Sequence, residues 1–527
     1  MEDAKVKTVF GAPAEGASVN SVSFLLHPNP EKPGYIAELS NGKLIRISTR
    51  LGDYLKGDHA GSPQVRDVAE KFNLHPSGLR DSVEIAPRGK WTVSSALKIQ
   101  YELMSPTGSW GIFEKLAKFL NPIAFLTIVV LLFGVGVASV FLRSEGAGYS
   151  FTTPLNLLAF LGVLPAIFIT TVVHEAAHAL MLLRYGHGMR RAGLMLFFFM
   201  PSAFCDVTPA WLLPRRQRVV VCLAGALTQL GLAGAALLTA TFVSGDWRQM
   251  LDLYGAAIAL TAFINLIPFV KFDGYLALIS WLDEPALIER ARKHVGDWTA
   301  ELVVTGKNTT QFEPKLFLFG VMCHITPPVL VVAALGSLMG TLVSLGVVGR
   351  VLICLALVVI LGSLILQVTG LVMRMKLLGA TLAQRVATLS LIAGLCAVAL
   401  LIPVEQSGSG AFERPDANSG TATVVIPPDD EGNVPVAQSV TLESRGMVRQ
   451  SIVEVTLPET SEACVTDLLA QTPFYLPDVE APGQGECFEV DIDVDTSLPE
   501  QGLVSFDLPT LTMAEYLYDR AIGIYLW

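Results

Sequence analysis

The sequence predicts an all-α polytopic membrane core flanked by two differently charged extramembrane domains, the N-terminal one α+β and the C-terminal one β-rich. Three observations carry this. Of the 527 residues 52% are hydrophobic and 16% charged, and the mean hydropathy is +0.52, too apolar for a soluble globular chain. The apolar residues concentrate in about seven runs near or beyond the roughly 20 residues a bilayer requires: 119–142, 153–183, 218–243, 252–270, 315–342, 347–372 and 386–404. The formal net charge of −10 is also unevenly divided. From residue 404 onward 22 Asp and Glu face 4 Arg and no Lys, a net of −18, so the preceding residues carry +8.

Basic residues assign sides to the runs, because Lys and Arg accumulate in cytoplasmic loops. Lys115 and Lys118 precede the first run. Arg184, Arg190, Arg191, Arg215, Arg216 and Arg218 lie between the second and third. Lys271, Arg290, Arg292, Lys293 and Lys307 follow the fourth, and Arg374, Lys376 and Arg385 follow the sixth. The alternate loops are short and nearly free of positive charge. Seven transmembrane helices satisfy every loop, with the N-terminus cytoplasmic and the C-terminus extracytoplasmic. The beginning "MEDAKVKTVFGAPAEG" lacks an apolar signal region, so 1–19 is expected to be a disordered N-terminus inside the cell.

Residues 20–105 are expected to form a small cytoplasmic domain. "GYIAELSNGKLIRIS" reads as two strands joined at Ser40-Asn41-Gly42. "SPQVRDVAEKFNL" carries an N-cap serine and helical spacing at Val65, Val68 and Phe72, and "SGLRDSVEIA" looks like a further helix start. Strands followed by short helices suggest a winged-helix-like module. Its charge is nearly balanced, and neither half of the chain has a dense basic patch, which excludes nucleic acid as a partner and leaves peptide or protein. After the membrane domain at 119–404, "EQSGSGAFERPDANSGT" reads as a polar linker, 405–422. "TATVVI", "SIVEVTL", "CFEVDIDV" and "LVSFDL" then alternate as strands of a β-rich domain, 423–527. Cys464 and Cys487 are the only cysteines there, and an extracytoplasmic location makes them a disulfide pair.

The chemistry lies in "TVVHEAAHALMLLRYG". His174-Glu175-Ala176-Ala177-His178 is H-E-x-x-H within an apolar run. Ionisable groups at membrane depth mark function by default. On a helix the two histidines share a face and can bind one metal ion. Glu175 beside them is placed to take a proton from water activated by that ion. The competing reading is a proton relay or a helix-packing hydrogen bond. Two histidines do not complete a catalytic zinc site, which takes three protein ligands and an open position. The fourth run ends "FINLIPFVKFDGYLALISWLDEP", which contains Asn265-x-x-Pro268-x-x-x-x-Asp273-Gly274. By itself Asp273-Gly274 reads as a turn or helix cap.

With both motifs present and in order, the chain resembles the site-2 protease family of intramembrane zinc metallopeptidases, over about residues 119–290. The resemblance implies one Zn2+ per chain held by His174, His178 and Asp273, with Glu175 as catalytic base. It also implies substrate binding at Asn265 and Pro268. A departure stands at Gly225-Ala226-Leu227-Thr228-Gln229, where many members of the family carry G-P-x-x-N. The segment 194–211, apolar and broken by Pro201 and Pro209, is expected as a re-entrant hairpin whose edge could hold a substrate by strand addition. Asp206 in it is a weaker rival for the metal.

The layout is similar to that of bacterial peptide zinc metalloproteases of modified-peptide (RiPP) gene clusters, of the daptide type, in which a PqqD-like winged helix precedes the membrane protease. This implies a multi-pass protein of the bacterial cell membrane that removes the leader of a ribosomally synthesised peptide. The expected partners are a peptide or membrane-protein substrate and the lipid bilayer; a homo-oligomer stays open. Two alternatives also remain open: regulated intramembrane proteolysis of a single-pass signalling protein, and a non-catalytic zinc-containing transporter or immunity protein.

Overall fold

The computed structural model describes residues 7–8, 23–39, 43–57, 62–72, 74–80, 91–95, 98–104, 111–143, 155–197, 200–306, 312–344, 347–415, 419–427, 439–444, 450–458, 460–467, 474–475, 482–492 and 499–521. The chain divides into two compact units. The first joins Met1–Val135, Pro165–Ala235 and Ala256–Arg290; the second joins Gly136–Leu164, Ala236–Gly255 and Ala291–Trp527.

The first unit begins with an antiparallel sheet. Strands β1 (Lys7–Thr8), β2 (Phe24–Pro28), β3 (Tyr35–Leu39) and β4 (Leu44–Ile47) lie in the order β1-β4-β3-β2. The predicted strand pair is there, while its turn at 40–42 lies outside the described residues. Within the expected disordered 1–19, Lys7 and Thr8 instead pair with Arg46 and Ile45, which satisfies the backbone along an otherwise open edge of β4. Helix α1 (Thr49–Lys56) starts at Ser48, whose hydroxyl accepts from Leu51 N–H at 3.3 Å. Helix α2 (Pro63–Lys71) starts after Ser62 with proline at its first position. Phe24, Ala37, Ile45, Leu51, Leu55, Val65 and Leu74 close one core beneath the sheet. The further helix start at 77–86 appears only as a 3₁₀ turn, Pro76–Gly78; residues 81–86 lie outside the described set. The observed arrangement is strands, then two short helices.

Strands β5 (Trp91–Ser95) and β6 (Lys98–Met104) follow. An amphipathic helix α3 (Gly111–Phe119) precedes α4 (Pro122–Phe141). After β7 (Leu155–Asn156), α5 (Leu157–Arg184) carries the histidine motif. The hairpin β8 (Ala192–Phe197) and β9 (Met200–Cys205) comes next, followed by α6 (Arg215–Thr239), α7 (Asp246–Asn265) and α8 (Asp273–Leu282). The expected isolated hairpin is instead half of a four-stranded sheet in the order β5-β6-β8-β9. β6 occupies the edge of β8, with Tyr101 opposite Leu194, and β9 is left as the outer strand.

The second unit continues with α9 (Leu287–Thr305), α10 (Pro314–Ser344), α11 (Val347–Leu377) and α12 (Leu382–Leu400). Six helices among the described residues are long and apolar enough to cross a membrane: Pro122–Phe141, Phe160–Arg184, Arg215–Phe242, Pro314–Ala334, Val351–Leu377 and Leu382–Leu400. The predicted fourth span, 252–270, falls on α7 and differs. Its first two turns carry Asp246, Arg248 and Asp252, and the chain leaves the helix at Asn265. Asp252 is paired with Arg143 at 2.6 Å, both side chains nearly buried, and Arg143 also donates to the carbonyl of Leu237 at 2.7 Å. A charge this buried is tolerated because its partner comes with it.

Strands β10 (Pro403–Glu413), β11 (Thr421–Ile426), β12 (Ser439–Glu443), β13 (Ser451–Thr456), β14 (Glu462–Asp467), β15 (Phe474–Tyr475), β16 (Pro482–Asp491) and β17 (Gln501–Thr512) complete the second unit, with α13 (Met513–Ala521). Seven of them form one antiparallel sheet, β13-β12-β17-β10-β11-β16-β14, closed over Phe412, Val424, Ile426, Leu442, Val504 and Phe506. The expected linker at 405–422 is corrected here: its first half, 405–413, belongs to β10, a central strand paired with both β11 and β17, and 421–422 open β11. Its glycines are packing residues. A side chain at Gly408 would collide with the Phe506 ring, and one at Gly410 with the Val425 carbonyl. Cys464 on β14 and Cys487 on β16 are joined by a disulfide.

Candidate metal centre

Four residues apart on α5, His174 and His178 present their imidazoles on one buried face. Asp273 comes from the first turn of α8, where the exposed N–H groups of a helix start favour a carboxylate. Its Oδ2 lies 3.0 Å from His174 Nε2 and 3.3 Å from His178 Nε2, and the two Nε2 atoms are 3.2 Å apart. Ligands at 2.0–2.1 Å from a tetrahedral ion stand about 3.3 Å from one another, so this triangle has the size of three corners of such a shell. The three predicted ligands are thus brought together, and among the described residues they form a group that can hold a metal ion.

The surroundings fit a cation. His178 Nδ1 donates to the backbone carbonyl of Val221 at 2.7 Å. That carbonyl can only accept, so Nδ1 carries a proton and the neutral ring presents the lone pair of Nε2, the arrangement found behind metal-bound imidazoles. Asp273 Oδ2 is buried against both Nε2 atoms. Three such atoms this close need positive charge among them, supplied by protons on the rings or by a metal ion.

Two glycines make the approach feasible. Helix α6 passes the imidazoles at Gly225, where an added Cβ would lie 2.6 Å from His174 Nε2 and closer still to His178 Nε2. At Gly274 a Cβ would strike the backbone of Leu266, so the two ends of the Asn265–Gly274 motif fold onto one another. Pro268 sits half-buried in the connecting turn, where its ring prevents α7 from continuing. Asn265, the last residue of α7, donates from Nδ2 to Gln229 Oε1 at 3.2 Å.

Glu175 lies 100° around α5 from His174 and faces a cavity of about 180 Å³. Val172 and Ala176 of α5, Phe113 of α3, and Leu194, Ala203 and Phe204 of the hairpin also line it. The carboxylate accepts from the backbone N–H of Cys205 on β9. Burial pushes the Cys205 thiol well above its ordinary range, so it stays protonated. Asp206 stays apart from the metal group: it accepts from Thr208 N–H at 3.1 Å and Thr208 Oγ1 at 2.5 Å, a loop-capping role.

The N-terminal sheet is fastened to these helices by ion pairs. Asp283, which caps α8 in the left-handed region at φ 55°, holds Arg46 of β4, Lys32 at 3.0 Å and Arg218 of α6 at 3.1 Å. Arg218 also stacks on the Trp211 ring, 4.4 Å from its centroid. Burial raises the Asp283 pKa, and hydrogen bonds from Arg46 and Lys32 outweigh it, leaving it at about 2. Glu38 of β3 pairs with His27 at 2.9 Å and Arg190 at 2.7 Å; the His27 hydrogen bond is the main cause of its lowered pKa. Sequence reasoning missed Asp283 and Arg218, which have no motif, and the Val221 carbonyl, which no side-chain pattern can reveal. Gly225, a glycine inside a helix, did carry a signal.

No protein-family model matches the chain, and no curated protein or solved structure matches it either.

Proposed function

We propose that the chain is an intramembrane zinc endopeptidase that cleaves a peptide bond at or within the membrane, removing the leader of a ribosomally synthesised modified peptide. One observation carries this: three ligand atoms converge at tetrahedral spacing, with a carboxylate of the same helix facing an adjoining apolar cavity. Two imidazoles and one carboxylate are a donor set suited to zinc. Zinc held by His174, His178 and Asp273 would supply Lewis acidity toward a peptide carbonyl and toward water. Glu175 takes the water's proton on its carboxylate and delivers it to the departing amine nitrogen. The Cys205 N–H holds that carboxylate in place, and the apolar walls keep bulk water from it. The peptide is read in extended form, with the outer strand β9 offering backbone pairing.

The winged-helix reading of residues 20–105 makes that domain the leader reader. Counting α7 with the six apolar helices gives seven, which would put the termini on opposite sides, and the basic loops favour a cytoplasmic N-terminus with the disulfide-bonded domain outside, in a bacterial cell membrane. The buried Arg143–Asp252 pair supports counting it.

The test is a substrate trap. Glu175→Gln and wild-type protein are purified in mild detergent from the native host and peptides enriched only by the variant are identified. Short leader-bearing precursors are expected. Single-pass membrane proteins would replace the maturation reading with signalling proteolysis. Stoichiometric zinc with no enriched peptide would overturn the protease reading in favour of a non-catalytic zinc protein.

A further inference from the structure

Helix α6 presents one stripe to the candidate centre. Val221, Gly225 and Gln229 follow one another at intervals of four residues, so they lie along a single face at about 6 Å steps. Val221 fixes the proton of His178, and Gly225 leaves the room that both imidazoles fill. Gln229, a buried polar side chain one turn further, accepts from Asn265 Nδ2. Leu266, the neighbour of Asn265, packs its backbone against Gly274, the neighbour of Asp273. Asn265 is therefore tied to α6 by its own hydrogen bond and to the start of α8 through its neighbour Leu266.

Resting on the endopeptidase reading above, we infer that Gln229 is a positioning residue that fixes the amide of Asn265 for a substrate backbone. A free Asn amide rotates and flips at little cost, presenting oxygen or nitrogen indifferently. With Gln229 presenting Oε1, as it does here, that choice is removed and Nδ2 faces Gln229. The Asn265 Oδ1 and its second N–H then keep one orientation, and this pair is complementary to the N–H and C=O of an extended peptide. Gln229 itself touches no reacting atom. Its work is done through Asn265, and its effect is confined to ligands that have a peptide backbone.

Two hydroxamates separate these roles. Acetohydroxamate engages the metal alone, while a leucyl-peptide hydroxamate adds a backbone that Asn265 can bind and apolar side chains for the cavity. Dissociation constants for both, and zinc content, are measured on the full chain in detergent for wild type, Gln229→Met, Gln229→Glu, Asn265→Leu and the Gln229→Met/Asn265→Leu double variant. In wild type the peptidyl compound should bind far more tightly than acetohydroxamate. Gln229→Met should reduce that ratio about tenfold, the scale of one oriented hydrogen bond, with zinc and acetohydroxamate binding unchanged. The double variant should lose no more than Asn265→Leu alone, and Gln229→Glu, which keeps an acceptor oxygen, should restore most of the ratio. An unchanged ratio in Gln229→Met overturns the inference and leaves the endopeptidase reading standing. Equal weakening of both compounds, or loss of zinc, also overturns it, since Gln229 would then support the metal group. If wild-type protein carries no zinc and binds neither compound, the endopeptidase reading falls and this inference falls with it.

Discussion

Asp273 and Asp283 bound the same helix. The first begins α8 and lies 3.0 Å from His174. The second caps its end and holds Arg46, Lys32 and Arg218. A ten-residue helix is about 15 Å long and stiff, so the N-terminal sheet and the candidate metal centre are gripped by opposite ends of one short rod.

Asp273 is the candidate ligand that a turn-forming Asp-Gly pair would least advertise. Asp273→Ala should lower bound zinc from one per chain toward zero, read by elemental analysis of purified protein, with the helical signal in circular dichroism retained. Zinc at the wild-type level would remove Asp273 from the ligand set.

Gly225 is predicted to be intolerant of any side chain. The methyl group of Gly225→Ala would overlap both imidazoles, and the rearrangement should cost about 1–3 kcal/mol and weaken metal binding at least tenfold. A cobalt(II) titration followed by its visible absorption reads the affinity. Wild-type affinity in Gly225→Ala would mean that the helices are further apart than described.

Asp283 gives a pH signature. Its pKa in the folded chain is about 2 against an ordinary 3.8. A depressed carboxylate pKa contributes stability above the unfolded value, and that stability is lost as pH falls through the folded value. Thermal stability should therefore drop between about pH 4 and pH 2, by about 2 kcal/mol from this group. In Asp283→Asn the drop over the same range should be smaller by that amount. At neutral pH the same variant strands buried cations and should be less stable by about 3–5 kcal/mol. A parallel acid profile in both proteins would argue against the latch.

The Cys464–Cys487 disulfide closes a loop with a sequence separation of 23. Replacing both cysteines by serine should destabilise the β-rich domain by about 3 kcal/mol in the chain-entropy view. Urea unfolding followed through that domain's tryptic digestion pattern would check it. Unaltered resistance would show that the seven-stranded sheet alone suffices.

Much of the centre was legible because its chemistry uses rare residues at fixed spacing: the H-E-x-x-H face is set by helix periodicity, and Asp273 follows from the second motif. What escaped depended on partners far away in sequence. β6 pairs with β8 across two membrane-length helices, and neither strand alone indicates it. The glycines and serines of 405–413 have the composition of a linker, yet Gly408 and Gly410 are small because Phe506 and Val425 press against them. Asp252 broke the apolar pattern of α7, and only the structure supplies its Arg143 counter-charge. Asp283, on an ordinary turn sequence, became important through three cations drawn from separate segments.

The sheet β5-β6-β8-β9 also constrains how the protein is made. Its first two strands leave the ribosome before α4 and α5, and the edge of β6 has its partner only when β8 emerges behind them. Nascent chains must therefore carry an unpaired strand edge while two helices enter the bilayer, the kind of edge that invites pairing with the wrong chain. Gly193 of β8 admits the Tyr101 carbonyl so closely that no other residue would fit, so the delayed pairing is also a selective one. The wall of the Glu175 cavity is in this sense the last part of the first unit's sheet structure to be assembled, and a chain interrupted before residue 205 leaves that cavity without its outer side.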